Sequence, residues 1–376
     1  MKKVDVIIIG AGAAGLMCAI AAGCRGRQTL VLDHANKPGK KILMSGGGRC
    51  NFTNRDVTAS NFISHNPRFC ISALSRYSPQ DFINLVEKYN IPFHEKTKGQ
   101  LFCDNKSKDI LNMLLSECEK YSVPIQLNTS IQHISKTVSG FMLTTPTEKI
   151  SCQSLVIATG GLSIPTLGAS PFGYQVAQQF GLKVLPTRAG LVPFTLHSHD
   201  KEKYSALSGV SALCRVTCNK QSFEESMLFT HRGLSGPAML QISSYWNPGD
   251  SLSIDLLPRH DLYEIFKQKQ KTSAKSLIRS ALQEILPKNL VSTWSNDTAL
   301  EAELANIPHQ QLKAIANRFE NWHITPNNTE GYRTAEVTLG GVDTNTISSK
   351  TFEVNTVTGL YFIGEVLDVT GWLGGY

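Results

Sequence analysis

Apolar positions along the chain change period several times, and each change marks an element. Asp5–Ile9 (DVIII) is a nearly unbroken apolar run, the pattern of a parallel strand buried on both faces. It runs into the hexapeptide Gly10–Gly15 (GAGAAG) and then an alanine-rich helix over Leu16–Gly23. Thr29–Leu32 reads as a second strand ending at Asp33, and Ser154–Ala158 as a later buried one. Residues 68–90 and 106–121 follow the helical period, the latter placing Leu111, Leu114 and Leu115 on one face. Ile125–Thr145 alternates as strands do.

The texture changes near Gly190. Short strand-like runs follow at Leu191–Leu196, Val210–Cys218, Ser226–Thr230 and Ser251–Leu256, the spacing of a small barrel or sandwich. Pro258 opens a helical stretch to about Phe319, with Leu277, Ile278, Leu282, Ile285 and Leu286 as apolar anchors. Strands return at Ala335–Leu339 and Gly359–Ile363. The expected organisation is α/β: a Rossmann-type dinucleotide domain over 1–190 and 343–376, with a β-barrel-like domain over 191–257 and 324–342 inserted in it. A helical domain over 258–323 is expected within that insertion.

Composition narrows the class. Hydrophobic residues at 41% and charged residues at 18% belong to a globular chain. No apolar run reaches the roughly 18 residues that a membrane span needs, and Val4–Ile9 is too short for a signal peptide. Nine cysteines, odd in number and without a CxxC pair, suit free thiols in a reducing cytoplasm; Cys214 and Cys218, the closest two, fall in one strand. The net charge of +7 leaves room for a polyanion and by itself decides nothing.

The GxGxxG at Gly10, Gly12 and Gly15 gains meaning from its place between a buried strand and a small-residue helix. Gly10 permits the turn, Gly12 and its neighbours Ala13 and Ala14 let backbone approach a pyrophosphate, and Gly15 lets the helix pack on the sheet. The helix N-terminus offers free N–H groups to phosphates, and Asp33 stands where a carboxylate accepts from a ribose diol. Leu155–Gly161 (LVIATGG), with Thr159 and Gly160, resembles the strand-plus-ATG segment of two-dinucleotide-binding flavoproteins. Thr358–Glu365 (TGLYFIGE), with Gly364 and Glu365, resembles their late motif, which delivers an acid to the flavin ribityl chain. That resemblance implies FAD; Asp33 departs from it in replacing the more usual glutamate. No second GxGxxG follows, so NAD(P)H is expected only as a transient electron donor over the flavin.

Lys37–Asn54 (KPGKKILMSGGGRCNFTN) closely resembles the GxKxxxSGGGRCNxTN signature of bacterial NAD(P)/FAD-dependent, aminoacetone-oxidase-like oxidoreductases. Gly99–Cys103, Leu228–Pro237, Thr338–Val342 and Gly364–Asp368 match further blocks of that family in order. The resemblance implies an FAD domain with barrel-like and helical insertions. It also implies reduction of a conjugated C=C bond by hydride from flavin N5, as in dehydro-bile acids or a uridine of large-subunit ribosomal RNA. The uridine is the leading expectation, with a small-molecule enone reductase or amine oxidase as the alternative. The chain stops at Tyr376, where family members continue into a further helix; a flavin-binding protein without turnover is the reading that this suggests.

Site candidates each carry a plainer alternative. Ser45, Gly46, Gly47 and Gly48 are expected to bring backbone N–H groups to the cofactor, against a merely flexible loop. Arg49 pairs with the pyrophosphate or pins the loop through a carboxylate; Lys40 and Lys41 are phosphate neighbours or solvated charges, at least one of them the latter. Cys50 is either a thiol of lowered pKa or substrate proton donor, or a small buried apolar residue. His231 donates a proton or binds a carbonyl, or is structural. Lys267, Lys271, Lys275 and Arg279 form a stripe if one helix runs through them, or gather at a joint if Thr272–Ser273 caps a second; they hold ribosomal RNA or are a solvated face. No metal site is expected.

Overall fold

The computed structural model describes residues 2–294 and 298–376. It divides into two compact units, 1–188 with 337–376, and 189–336.

The first unit is built on a sheet whose parallel core grows from hydrophobic runs too apolar to face water. Strand β1 (Lys2–Ile9) buries Val4 and Ile7–Ile9. It leads through the glycine turn into α1 (Ala13–Cys24), whose Leu16 and Ala19 are buried. Strand β2 (Thr29–Leu32), buried throughout, pairs parallel to β1 with Val6 opposite Thr29. Helix α2 (Lys40–Met44) and strand β3 (Asn51–Asn54) carry the signature segment. Helix α3 (Ser107–Lys120) buries Ile110, Leu111, Met113, Leu114, Glu117 and Cys118, the face that the helical period predicts. Strand β4 (Ile125–Gln126) lies parallel beside β2. The hairpin β5 (His133–Thr137) and β6 (Gly140–Thr144) packs antiparallel against the first half of β7 (Lys149–Ile157). β7 is parallel to β1, with Ile9 opposite Ile157. Its second half pairs parallel with β8 (Leu360–Phe362), so the chain's late segment returns to the sheet centre. β1, β2 and β7 therefore end side by side, and everything that follows their carboxyl ends shares one crevice.

Expected boundaries shift where local chemistry overrides period. The helix expected over 68–90 is two, Ile71–Arg76 and Pro79–Lys88, because Ser78 caps the second. Ser78 and Asp81 form a reciprocal capping box, and Pro79 suits a first helical turn.

The second unit contains a seven-stranded antiparallel sheet. Its order is Trp322–Ile324, Leu252–Asp255, Ser211–Cys218, Gln221–Phe229, Gly233–Ser235, Phe194–Thr195, Asn328–Thr329. Ser211–Cys218 alternates exposed and buried at every residue, so Cys214 and Cys218 both face inward. Of the run expected over Leu191–Leu196, only Phe194–Thr195 is strand. The helices Leu262–Thr272, Ile278–Gln283, Lys288–Thr293 and His309–Glu320 occupy the expected helical stretch, of which 295–297 lie outside the described residues. They share this unit's core: Trp294 packs tilted against Phe319 and edge-on to Trp322, with ring centroids 5.6 Å apart in both cases.

Candidate FAD site

The glycine turn does two separate jobs. Gly10 has φ +113°, and a Cβ there would collide with the Ala158 carbonyl of the neighbouring strand. A Cβ on Gly15 would collide with the Gly10 carbonyl. Those two glycines are required by the fold itself. Around Gly12, by contrast, nothing lies within 4 Å of where a Cβ would stand, and the same holds for Gly160, whose φ is +71°. Both border a cavity of about 500 Å³. Helix α1 begins there with no side-chain cap and no acid in its first turn, leaving its first N–H groups for an anionic ligand.

Of the residues expected at a cofactor, Gly10, Gly12, Ala13, Ala14, Asp33, Lys41, Thr159, Gly160, Gly364 and Glu365 line this cavity. Asp33 accepts from Ala11 N at 2.7 Å and Ala35 N at 2.8 Å, which fixes its carboxylate at the end of β2. With two backbone partners it retains acceptor sites for a ribose diol. Thr159 Oγ1 is buried without a partner, and a Cβ on Gly173 would collide with it. The hydroxyl is thus turned into the protein.

Glu365 is the hub of a network that sequence reading missed. Its Oε2 accepts from Lys41 Nζ at 2.7 Å, and its Oε1 accepts from Thr338 N at 2.8 Å and Ser163 Oγ at 3.2 Å. Lys41 Nζ also donates to Ser163 Oγ at 2.6 Å, while Thr338 Oγ1 accepts from Leu162 N at 2.8 Å. Ser163 lies three residues beyond Gly160 of the ATG segment, so proximity was its one available signal. Thr338 opens the TLGGV block, which marked it without assigning a role.

Ser45, Gly46, Gly47 and Gly48 do not border the cavity, and neither does the exposed Arg49. Gly46, Gly47 and Gly48 have φ +57°, +66° and +88°, a left-handed run that other residues adopt only with strain. A Cβ on Gly47 or Gly48 would meet nothing within 4 Å, the same open surroundings as at Gly12 and Gly160. Left-handed φ at all three positions is one reason for glycine here. Cys50 continues the bend at φ +51° and is buried, its N–H donating to Ser45 O at 3.1 Å. Burial pushes its thiol up from the ordinary range, against a smaller opposing effect of Ser45, so the expected lowering does not occur. Asn54 is fully buried and donates to the carbonyls of Lys98 and Gly374, each at 3.0 Å. The asparagine that ends the signature thus clamps two distant segments.

In the second unit, His231 is exposed in the turn before Gly233–Ser235. Neither expected arrangement of the basic segment holds, because the first helix ends at Thr272 and the next begins at Ile278, with Leu277 at its N-cap. Lys267 pairs with Glu264 at 2.9 Å and Arg279 with Glu301 at 2.9 Å, whereas Lys271 and Lys275 are exposed. Among the described residues no His, Cys, Asp or Glu cluster suits a metal.

A strand-end crevice with a glycine turn could serve several dinucleotides. The third segment, which brings Glu365 back beside Lys41, belongs to the FAD-binding version of the Rossmann domain, and the open space at Gly12 and Gly160 fits that cofactor. The chain belongs to the HI0933-like protein Rossmann domain family, whose model matches residues 4–376. It is 52% identical to a ribosomal RNA dihydrouridine synthase of Escherichia coli, over 100% of this chain and 94% of that protein. It is 26% identical to a 3-dehydro-bile acid delta(4,6)-reductase of Clostridium scindens, over 98% of this chain and 94% of that one. In fold it resembles the 3-ketosteroid-delta4-(5alpha)-dehydrogenase of Rhodococcus jostii, with TM-score 0.50, 15% identity, and coverage of 100% of this chain and 92% of that one.

Proposed function

We propose that this protein is an FAD-dependent reductase that converts a uridine of large-subunit ribosomal RNA to dihydrouridine. The observation that carries this reading is the 52% identity to a ribosomal RNA dihydrouridine synthase over 100% of this chain, on a chain whose glycine turn leaves open space at Gly12. When bound and reduced, FAD supplies a hydride to the β-carbon of an unsaturated carbonyl, which in uracil is C6. The chain's own part is to hold the cofactor and to deliver a proton to C5. The Gly10–Gly15 turn and α1 receive the pyrophosphate, Asp33 accepts from the ribose, and Lys41 with Glu365 orders the opposite wall.

Cys50 is the proton donor in this reading. A thiol is protonated at neutral pH, as a general acid must be, and burial pushes Cys50 further up, which holds the proton more tightly. It sits in the core and not on the cavity wall, so the role rests on its own test. Cys50→Ala should keep FAD and still accept electrons, yet lose product by roughly 10²–10⁴-fold. Near-normal turnover returns Cys50 to packing and leaves His231 as the next acid to examine. NAD(P)H is the proposed electron donor and the cytoplasm the proposed location. The nine free cysteines accord with a reducing compartment, and no helix among the described residues is long and apolar enough to cross a membrane.

The deciding experiment is mass spectrometry of ribosomal RNA nucleosides from a strain lacking this protein. Dihydrouridine should vanish and return with the wild-type chain but not with Gly12→Val. The similarity to a bile-acid reductase supports a second reading, a small-molecule enone reductase. Unchanged dihydrouridine in the deletion strain would favour that reading.

A further inference from the structure

The positive charge of this protein is unevenly placed. Residues 189–336 carry 15 Lys and Arg against 15 Asp and Glu, whereas the remaining chain carries 22 against 15. The whole excess of +7 therefore lies in the first unit. The basic helical segment of the second unit is answered in part, with Lys267, Lys269 and Arg279 held by Glu264, Glu284 and Glu301 and Lys271 and Lys275 exposed. A polyanion gains most where cations lack such partners.

Within the first unit, one surface combines cations with an aromatic platform. Strands Asn51–Asn54, Gln100–Cys103 and Phe93–Glu95 form an antiparallel sheet. Leu101 and Cys103 point into the core, so the row Asn51, Phe102 and His94, directly opposite one another, crosses its other face. The His94 ring stacks over Phe102 at 6.3 Å with 19° between planes, and Lys96 Nζ stands 5.3 Å from the Phe102 centroid. The signature loop abuts the same ring, since a Cβ on Gly46 would come within 2.9 Å of Phe102 Cε1. Arg49, Lys96, Lys106 and Lys108 are exposed on the segments that join the strands to each other and to α3, and the acids of those segments are engaged, Glu95 by Arg55 at 2.8 Å and Asp104 by His94 Nδ1 at 2.6 Å. Lys106 is the N-cap of α3 and caps nothing, and Lys108 lies in its first turn. Asp109 in the same turn suits the helix's positive end and the two lysines do not, so helix formation does not account for the lysines.

The geometry points to this face as the surface that receives single-stranded RNA, with Phe102 and His94 as a stacking platform for a base and the surrounding lysines and Arg49 as phosphate contacts. This rests on the reading of an RNA substrate given above. Stacking tolerates any base, and phosphate contacts set position without reading sequence, so the face serves to present RNA while the flavin site selects the uridine.

The test is binding of oligouridylate and protein-free ribosomal RNA by the FAD-loaded protein across a salt series. Lys96→Gln with Lys106→Gln should flatten the plot of log affinity against log salt by about 0.7 per lost contact. Phe102→Leu should weaken binding about tenfold or more and leave the slope alone. Lys271→Gln with Lys275→Gln should do neither, and bound FAD absorbance reports folding in every variant. If the second lysine pair alone alters the slope, this face is overturned while the RNA reading stands. Loss in the Lys96 and Lys106 variant with an inert Phe102→Leu would indicate an acidic protein or other general polyanion, and would overturn the RNA assignment of the face. If wild-type protein binds neither RNA and the deletion strain keeps its dihydrouridine, the substrate reading itself falls.

Discussion

Lys41 Nζ lies 2.7 Å from Glu365 Oε2, joining positions 324 residues apart on the wall of the cofactor cavity. The pair has a division of labour that substitution should expose. Glu365 also accepts from the N–H of fully buried Thr338, so Glu365→Ala would strand that donor at a cost of about 1–3 kcal/mol. Glu365→Gln keeps an oxygen for Thr338 and should cost less. Lys41 is partly exposed, so Lys41→Ala should barely move the melting temperature of the FAD-free protein. It should lower FAD affinity about tenfold or more, because an uncompensated carboxylate then faces an anionic ligand. Thermal unfolding and FAD titration of the three variants check the order; equal FAD affinity in Lys41→Ala would remove the lysine from the site.

Gly12 and Gly15 are three residues apart in one motif, yet their substitutions should fail differently. A side chain at Gly12 meets empty space, so Gly12→Val should fold and melt near the wild-type FAD-free temperature while retaining no FAD. A side chain at Gly15 meets the Gly10 carbonyl, so Gly15→Ala should destabilise the FAD-free protein itself, on the order of 1–3 kcal/mol for overpacking. Release of cofactor on denaturation, identified as FAD and not FMN or NAD, completes the measurement. A Gly12→Val protein that keeps FAD would contradict the placement of the pyrophosphate.

The contrast between these glycines and the SGGG loop shows what the sequence could convey. Strand Thr29–Leu32 and helix Ser107–Lys120 were legible because burial on one or two faces writes itself into residue period. The break at Ser78 was also written, as a capping box before Pro79, but the surrounding helical period masked it. Gly46, Gly47 and Gly48 were ambiguous because glycine signals close approach or positive φ, and the sequence does not show the backbone angles. The Lys41–Glu365 network left no local trace, since its members Ser163, Thr338 and Glu365 meet only after the sheet is assembled. Charge was legible as a total of +7 and not as a location, which is why the basic run near Lys267 drew attention that its ion pairs diminish.

Glu117, buried on α3, accepts from Lys88 and from Tyr89 Oη. The Lys88 ammonium is the main cause that holds its carboxyl below the ordinary range, with burial opposing and Tyr89 assisting. A carboxyl with a lowered folded pKa adds stability above its unfolded value, about 4.3, and loses it as pH falls through the folded value. Glu117→Gln should therefore be clearly less stable than wild type at pH 7, with the gap closing below about pH 4. Denaturant unfolding at both pH values checks this; a gap that is unchanged at low pH would mean that packing, not charge, explains the loss.

Nine thiols offer a test of the Cys50 environment that needs no substrate. Cys24 is exposed, Cys18 is half-buried, and the other seven are buried. Burial pushes Cys18 up to about 11 and Cys103, Cys152 and Cys214 up to about 12, and it raises Cys50 too. Only a thiolate reacts with an alkylating reagent, and access is needed as well. At pH 7.5 the folded protein should thus show one fast thiol, and Cys24→Ser should abolish that phase, leaving the rest to react on unfolding. A thiolate at Cys50, favoured by neighbouring Arg49, would behave otherwise: a fast phase would survive in Cys24→Ser and vanish in Cys24→Ser with Cys50→Ala. That result would replace the protonated acid with a nucleophile at this position. Its absence, together with a large loss of product in Cys50→Ala, would identify a proton donor shielded from reagent and still needed for turnover.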